Sequence, residues 1–450
     1  MRPPWGRPDP LHMGASNSLT DSELWRVLLQ VAREDESTGL AISVPHGEVS
    51  RVAAAIVEHK LSLAALRRLQ HAQPGSPEAQ LKDELNRRVK PMMAIFDGVA
   101  PIRRQVLRLA SEFGGGVMKG WCVRRYYPDP EVRLTRDLDI HFASLERAVP
   151  FVARLRERGW EWDSNELPWV KWDDNRKMYG QMNLVLRVRG SLVSRVDVHV
   201  GPYSVGYGGV MPLSGFEEAE VEGVRIQCTD RATSVEVMAA HSAAAGWTSL
   251  TDVNDLWFLS RGSVGWASVI KVCSEAGAGA VLSQLSEVAG MLYTTQVMTV
   301  TLPGVRVPWT PPTGWQRSIH AARLTWAQEG RHHLGARLVR AVGAFRYYSA
   351  DLRPGTVRPV TPSPSTEAVR TRFNCWRLVP APVWPEDIAH PVEHANEFGE
   401  EALSREVAIV ARGHGTAVRL GHDVFIPTLW GPITRASLDL GRELNARGND

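Results

Sequence analysis

Residues 117–142 read Val-Met-Lys-Gly-Trp-Cys-Val-Arg-Arg-Tyr-Tyr-Pro-Asp-Pro-Glu-Val-Arg-Leu-Thr-Arg-Asp-Leu-Asp-Ile-His-Phe. The stretch passes from a Lys119-Gly120 turn to Arg136-Asp137-Leu138-Asp139-Ile140, where two carboxylates stand two apart between apolar neighbours. Alternate side chains of a strand share a face, so a strand here puts Asp137 and Asp139 on one side and Leu138 and Ile140 on the other. Paired carboxylates on one face suit magnesium, a hard cation that takes oxygen ligands.

Upstream, Gly114-Gly-Gly116 closes a helix, Val117-Met118 is a short strand, and Trp121 to Tyr127 begin a helix that Pro128-Asp-Pro130 breaks. The order is β-α-β. A turn of this kind aims backbone N–H groups and the positive end of a helix at an anion. Downstream, Gln181–Val188 and Leu192–Val200 read as two strands joined at Arg189-Gly190, a hairpin signal. In the second, Val196, Val198 and Val200 alternate with Asp197 and His199, so a third carboxylate arrives about sixty residues after the pair. Three carboxylates on neighbouring strands could hold two cations roughly 3.5–4 Å apart, the arrangement used for in-line displacement at phosphorus.

Lys119-Gly120, Arg133, Asp137-Leu138-Asp139 and Asp197-Val198-His199, in that order, resemble the DNA polymerase β superfamily of nucleotidyltransferases, most closely its largely uncharacterised bacterial branch. Thr229-Asp230, and the helical segment with His241, Gly246-Trp247 and Leu250-Thr-Asp-Val-Asn-Asp-Leu256, are similar to that branch's next element. The similarity covers roughly residues 90–260. The superfamily's usual Gly-Gly or Gly-Ser turn is absent, and bulky Trp121 stands where a small residue is common.

The resemblance implies an α+β fold: a polymerase β-like mixed sheet with flanking helices, here with a helical N-terminal module and a small α+β C-terminal piece. It also implies transfer of a nucleoside monophosphate from a nucleoside triphosphate, with ATP expected, to a hydroxyl acceptor with loss of pyrophosphate. Asp137 and Asp139 would hold one magnesium ion and, with Asp197, a second. Asp197 would also take the acceptor's proton. Lys119, Arg133, Arg136 and the Gly120 N–H would face the phosphates, and His199 would hydrogen-bond a metal-bound carboxylate or the acceptor.

The bland readings differ by residue. His241 lies on an otherwise apolar helix and reads as a buried structural histidine. Arg187, Arg189 and Arg195 read as a solvated face, Asp173-Asp174 as loop, and His332-His333 and the scattered tryptophans as surface and packing.

Along the chain, residues 1–18 are a Pro- and Gly-rich tail. Thr20-Asp-Ser-Glu23 is a capping box for a helix over 20–34, residues 50–71 repeat the helical pattern, and Ser76-Pro77 starts a further helical run, interrupted near Pro91 and Pro101. The expected divisions are a helical module at 19–114, the catalytic core at 115–215, helices at 216–300, a helix and Pro-rich linker at 301–367, and the C-terminal piece at 368–450.

Composition fits a globular protein: of 450 residues, 44% are hydrophobic and 22% charged. A formal charge of +3 supplies no basic stripe for nucleic acid, so a small-molecule acceptor is expected. A protein acceptor, modified by AMP transfer, and a non-catalytic nucleotide-binding scaffold are the alternatives. Only seven of the 52 basic residues are lysine, which marks Lys119 out. The cysteines 122, 228, 273 and 375 form no CxxC pair. With no apolar leader or membrane span in the sequence, the expected compartment is the cytoplasm.

Overall fold

The computed structural model describes residues 21–33, 42, 44, 47–135, 137–163, 166–172, 178–207, 209–294, 297–328, 334–349, 376–380, 401–402, 407–412, 415–428 and 439–444. Thr20, Arg136, Asp173-Asp174, His332-His333, Cys375, the N-terminal tail and the Pro-rich linker at 358–365 lie outside them.

Helices α1 (Asp21–Ala32), α2 (Val49–Glu58), α3 (Ser62–Arg68), α4 (Pro77–Gly98) and α5 (Ala100–Glu112) come first. β1 (Gly116–Val117) and one helical turn, α6 (Gly120–Val123), lead to β2 (Leu138–Phe142) and α7 (Leu145–Glu157). Then follow β3 (Glu161–Trp162), β4 (Trp169–Trp172), β5 (Met178–Val188), β6 (Ser191–Val200), β7 (Tyr203–Val205), β8 (Gly209–Met211), β9 (Phe216–Val221) and β10 (Val224–Thr229). Helices α8 (Arg231–Ala245), α9 (Leu250–Ser260), α10 (Trp266–Glu275), α11 (Gly279–Tyr293), α12 (Gly314–Gln328) and α13 (Leu334–Ser349) precede β11 (Trp376–Pro380), β12 (Glu401–Ala402), β13 (Val407–Arg412), β14 (Gly415–Leu420) and β15 (Asp423–Thr428). None of the described helices is long and apolar enough to cross a membrane.

The fold is mixed α+β, as the sequence implies. One sheet runs β12-β13-β14-β15-β11-β4-β5-β6-β2-β1-β10-β9, with β3 also on β5. β2 lies parallel to β6 and β1 parallel to β10; the remaining pairs of this sheet are antiparallel. The hairpin expected at Arg189-Gly190 forms, with φ of 51° and 77° at the two residues, the left-handed pair that suits the twist of flanking strands.

Three expectations are corrected. Residues 216–229, expected to open a run of helices, are strands: Val224, Ile226 and Cys228 are buried and alternate with exposed Arg225 and Gln227, a period-2 pattern that the neighbouring glutamates obscured. Pro91 does not interrupt its helix. It lies inside α4, whose Leu81, Leu85, Val89 and Met92 are buried on one side. Burying such side chains gives about 1.5–3 kcal/mol each, enough to offset the ~3 kcal/mol that an interior proline costs. The C-terminal strands are not a separate layer, because β11 pairs with both β4 and β15 and carries them onto the central sheet.

The sheet sorts its side chains by parity. Leu138, Ile140 and Phe142 of β2 and Val196, Val198 and Val200 of β6 are buried in one cluster with Leu107 and Ala110 of α5 and Val149 and Phe151 of α7. The opposite face of the same strands carries Asp139, His141, Asp197 and His199, and it looks toward α8 and the N-terminal helices. Those helices pack on α9 through a second cluster that includes Val31, Ile56, Leu61, Val253 and Leu256.

His59 fastens that packing. Its Nδ1 accepts the Leu250 N–H at 3.2 Å, and its carbonyl accepts the Thr251 hydroxyl at 2.7 Å. Burial pushes the ring's pKa down to about 4, against a weaker opposing pull from Asp252. A histidine depressed from its ordinary 6.5 stabilises the fold above pH 6.5, and that contribution is lost as pH falls through 4. Chemical denaturation at pH 7 and pH 4.5 should show about 2–3 kcal/mol more acid destabilisation in the wild type than in His59→Gln, which keeps an acceptor but no titrating group. Equal acid sensitivity of the two proteins would remove His59 from the docking of the N-terminal helices.

Candidate active site

Asp139 and Asp197 are Cα partners across the parallel β2–β6 pair, and His141 and His199 occupy the next such position. Register alone therefore brings the two carboxylates to one face. Oxygens of Asp139 and Asp197 and a ring nitrogen of His199 lie within 4.8 Å of one another, a group able to hold a metal ion. All three side chains are buried.

Asp137 falls just before β2 rather than on it. It is exposed at the mouth of the same cavity, so it shares the site with Asp139 but not a strand face. The cavity holds about 460 Å³, and Lys60, Lys119, Gly120, Arg133, Asp139, Asp197, His241 and Trp247 are among the residues lining it.

Lys119 caps the single turn α6 with φ 58° and ψ −139°, a backbone geometry that glycine ordinarily supplies. Holding a lysine there costs on the order of 1–3 kcal/mol, an investment that clusters at functional sites. Gly120 follows because Thr135 closes over it: an added Cβ would sit 2.9 Å from the threonine side chain. The Lys119 ammonium reaches Asp139 Oδ1 at 2.6 Å and His199 Nε2 at 3.3 Å, while His199 Nε2 stands 3.0 Å from the same Oδ1. Donating to Asp139 and accepting from Lys119 require opposite tautomers, so Nε2 can satisfy one partner at a time.

Burial disfavours every charge in this cluster, and the partners decide which survive. Against burial, Lys119 and the His199 hydrogen bond hold the Asp139 carboxyl below the usual carboxylate range. Against burial, Asp139 holds Lys119 above the usual lysine range. Burial and then Lys119 push His199 down to about 4, leaving it neutral at pH 7. For Asp197, burial outweighs the pull of Arg195, and with the charges of Asp139 and Asp137 it raises the carboxyl to about 7.

Arg195 is not the solvated residue expected. Its Nε donates to Asp197 Oδ1 at 2.9 Å, and its Nη2 pairs with Glu166 and lies 3.4 Å from Asp163. That clamp fixes the third carboxylate. His199 stands behind the carboxylates rather than on the cavity wall. Conversely, His241, expected to be buried and structural, is exposed on that wall, with Nδ1 3.2 Å from the Tyr203 hydroxyl.

Arg133 reaches the cavity with its charge already matched. Its Nε and Nη2 grip Asp255 of α9 at 2.8 and 2.7 Å, and the Tyr127 hydroxyl donates to the same carboxylate at 2.6 Å. Asp252 and Asp255, three apart on one helix face, are the acids of the Leu250–Leu256 segment, to which the sequence assigned no role. Asp252 is occupied at the helix start, where its Oδ2 accepts the Ser249 N–H at 2.8 Å. Lys60 carries no sequence signal of its own, and Asp255 only its place in that quoted segment.

With this geometry in hand, comparisons with known proteins decide the class. The sequence profile of a family described as uncharacterised nucleotidyltransferase matches residues 45–294. The chain belongs to that family. No curated protein matches the chain. Among solved structures, the crystal structure of the Megavirus polyadenylate synthase is similar over 56% of this chain and 51% of its own, at 10% identity and a TM-score of 0.21. This chain spans about half the length of that one. So loose a superposition adds nothing to what the sheet and the family profile show.

The Arg133–Asp255 pair is buried, and removing one partner of such a pair costs roughly 3–5 kcal/mol. Arg133→Met should lose about that much in urea denaturation, and Arg133→Met with Asp255→Leu should recover more than half of the loss. If Arg133→Met unfolds with wild-type stability, the guanidinium is not committed to Asp255.

Proposed function

We propose that this protein moves a nucleoside monophosphate group from a nucleoside triphosphate to a hydroxyl of a small-molecule acceptor and releases pyrophosphate. The observation that carries the reading is the register of β2 and β6, which sets Asp139 beside Asp197 next to the Lys119-Gly120 turn, at a cavity of nucleotide size.

The residues fit a divalent cation. Asp139 and Asp197 offer buried carboxylate oxygens that meet near His199, and Asp137 adds a carboxylate at the cavity mouth. Magnesium, as two ions, is the cofactor this donor set and the reaction class favour; when bound it would screen the phosphates and make the acceptor hydroxyl more acidic.

The protein's own groups do the rest. The acceptor oxygen attacks the α-phosphorus, the bond from that phosphorus to the bridging α,β oxygen breaks, and pyrophosphate leaves. Asp197 would take the hydroxyl proton as the new bond forms. Arg195 holds its Oδ1, which aims the other oxygen. Lys119 and the Gly120 N–H stand where phosphate charge accumulates. Most of such a reaction is positioning and charge stabilisation rather than covalent chemistry. The small acceptor follows from the near-neutral charge of the chain, which offers little to a polyanion.

The purified protein, incubated with α-labelled ATP, CTP, GTP or UTP, magnesium and a fractionated metabolite pool, should transfer label to a small product. Asp139→Asn and Asp197→Asn should each lower turnover by about 10²–10³ while leaving the fold intact by circular dichroism. Labelled product formed by both variants at the wild-type rate would end this reading, and label found only on nucleic acid would replace the acceptor.

A further inference from the structure

The N-terminal helices do more than close one wall of the cavity. Lys60 follows α2 in a left-handed conformation, φ 59°. The geometry is a Schellman ending: the Leu61 N–H bonds the Ile56 carbonyl at 3.0 Å, and the Lys60 N–H bonds the Val57 carbonyl at 3.1 Å. Glycine is the residue this position favours, and asparagine the usual second choice. A lysine there carries a backbone cost with no packing return, since its side chain is exposed. Lys119, which lines the same cavity, is likewise a lysine in a glycine-type conformation.

The charge on Lys60 is also available. Of the cations lining the cavity, Lys119 is paired with Asp139 and Arg133 with Asp255, whereas no carboxylate of the described residues pairs with Lys60. Its ammonium lies 6.0 Å from the centre of the Trp247 ring. Its field reaches Asp137 at the cavity mouth, and Asp252 and His241 behind it. The turn that presents it cannot drift, because the adjacent His59 is bonded to Leu250 and Thr251 of α9.

We propose that Lys60, which lines the same cavity as Lys119, grips the β- and γ-phosphates of the nucleoside triphosphate, so that the N-terminal helices complete the nucleotide site. This rests on the nucleotidyl-transfer reading above. The carboxylate trio fixes where the α-phosphate must lie, beside Lys119. The trailing phosphates carry more negative charge than magnesium offsets, and they need a cation that is not already matched.

The test is calorimetric titration of the full chain, in magnesium, with the α,β-methylene analogues of the four ribonucleoside triphosphates, which bind without turnover. Lys60→Ala and Lys60→Gly should each weaken the best-bound analogue about 10- to 100-fold, and Lys60→Arg should bind within a few-fold of wild type. Lys60→Gly should at the same time melt at or above the wild-type temperature, because glycine relieves the left-handed backbone. That combination separates charge from structure. A lysine serving only as a helix end would leave Lys60→Gly with wild-type affinity, and that result overturns the proposal. Wild-type affinity in Lys60→Ala would overturn it too while the nucleotidyl-transfer reading stands, and failure of the wild type to bind any of the four analogues would overturn both.

Discussion

The parallel pairing of β2 with β6 is the constraint on which the rest of the site depends. Because strand side chains alternate, the register that sets Asp139 opposite Asp197 also sets Ile140 opposite Val198, and the two results cannot be separated. A slip of one residue would carry Leu138, Ile140 and Phe142 out of the core while turning the carboxylates into it. Burial of apolar side chains against α5 and α7, at roughly 25 cal/mol per Å², thus holds two carboxylates side by side where their own repulsion would separate them.

The electrostatic consequence is a site in which each strand acid has its own cation. Lys119 serves Asp139 and Arg195 serves Asp197, so the two carboxylates lie side by side with unequal fates: one held ionised, the other raised to about 7. Arg133 and Asp255 repeat the device one layer away and tie the segment before β2 to α9. For the proposed reaction this has a thermodynamic corollary. A cation arriving alone must compete with Lys119 for Asp139, whereas a cation arriving with a phosphate offers Lys119 a new partner. Nucleotide and cation would each favour the other's binding, as coupled ligands must.

Much of this was legible in the sequence, and the reason is periodicity. Asp197-x-His199 within a run of alternating valines, the Arg189-Gly190 hairpin and the Ser76-Pro77 helix start are local signals with local causes, and each stands where the sequence puts it. The Asp137-Leu-Asp139 pair was half legible: the spacing gave the acids, but the strand begins at Leu138, which leaves Asp137 at the mouth. What escaped was decided by tertiary contact. The strands at 216–229 fell inside a division expected to be helical, and their pairing with each other and with β1 is made by the fold. Arg195 looks like a solvated arginine until Asp163 and Glu166 come up beside it, and His241 looks like a core residue until the cavity opens next to α8. Arg133 carried the right charge for a phosphate contact, yet only the fold shows Asp255 waiting for it, more than a hundred residues on.

Backbone strain points to the same place as the charges. Among the described residues, five other than glycine have positive φ: Lys60, Lys119, Arg189, Glu222 and Thr294. Arg189 and Glu222 sit in tight turns between paired strands, and Thr294 ends α11, which are ordinary places for a left-handed residue. The other two are lysines lining one cavity, in a chain that has only seven lysines. Glycine would relieve both backbones, and arginine would be the commoner cation in this sequence. A compact ammonium on a flexible stem differs from both in one respect: it can meet whichever phosphate oxygen is presented, without the fixed fork of a guanidinium. The two strained positions therefore make sense together as the ends of one anionic ligand laid across the cavity.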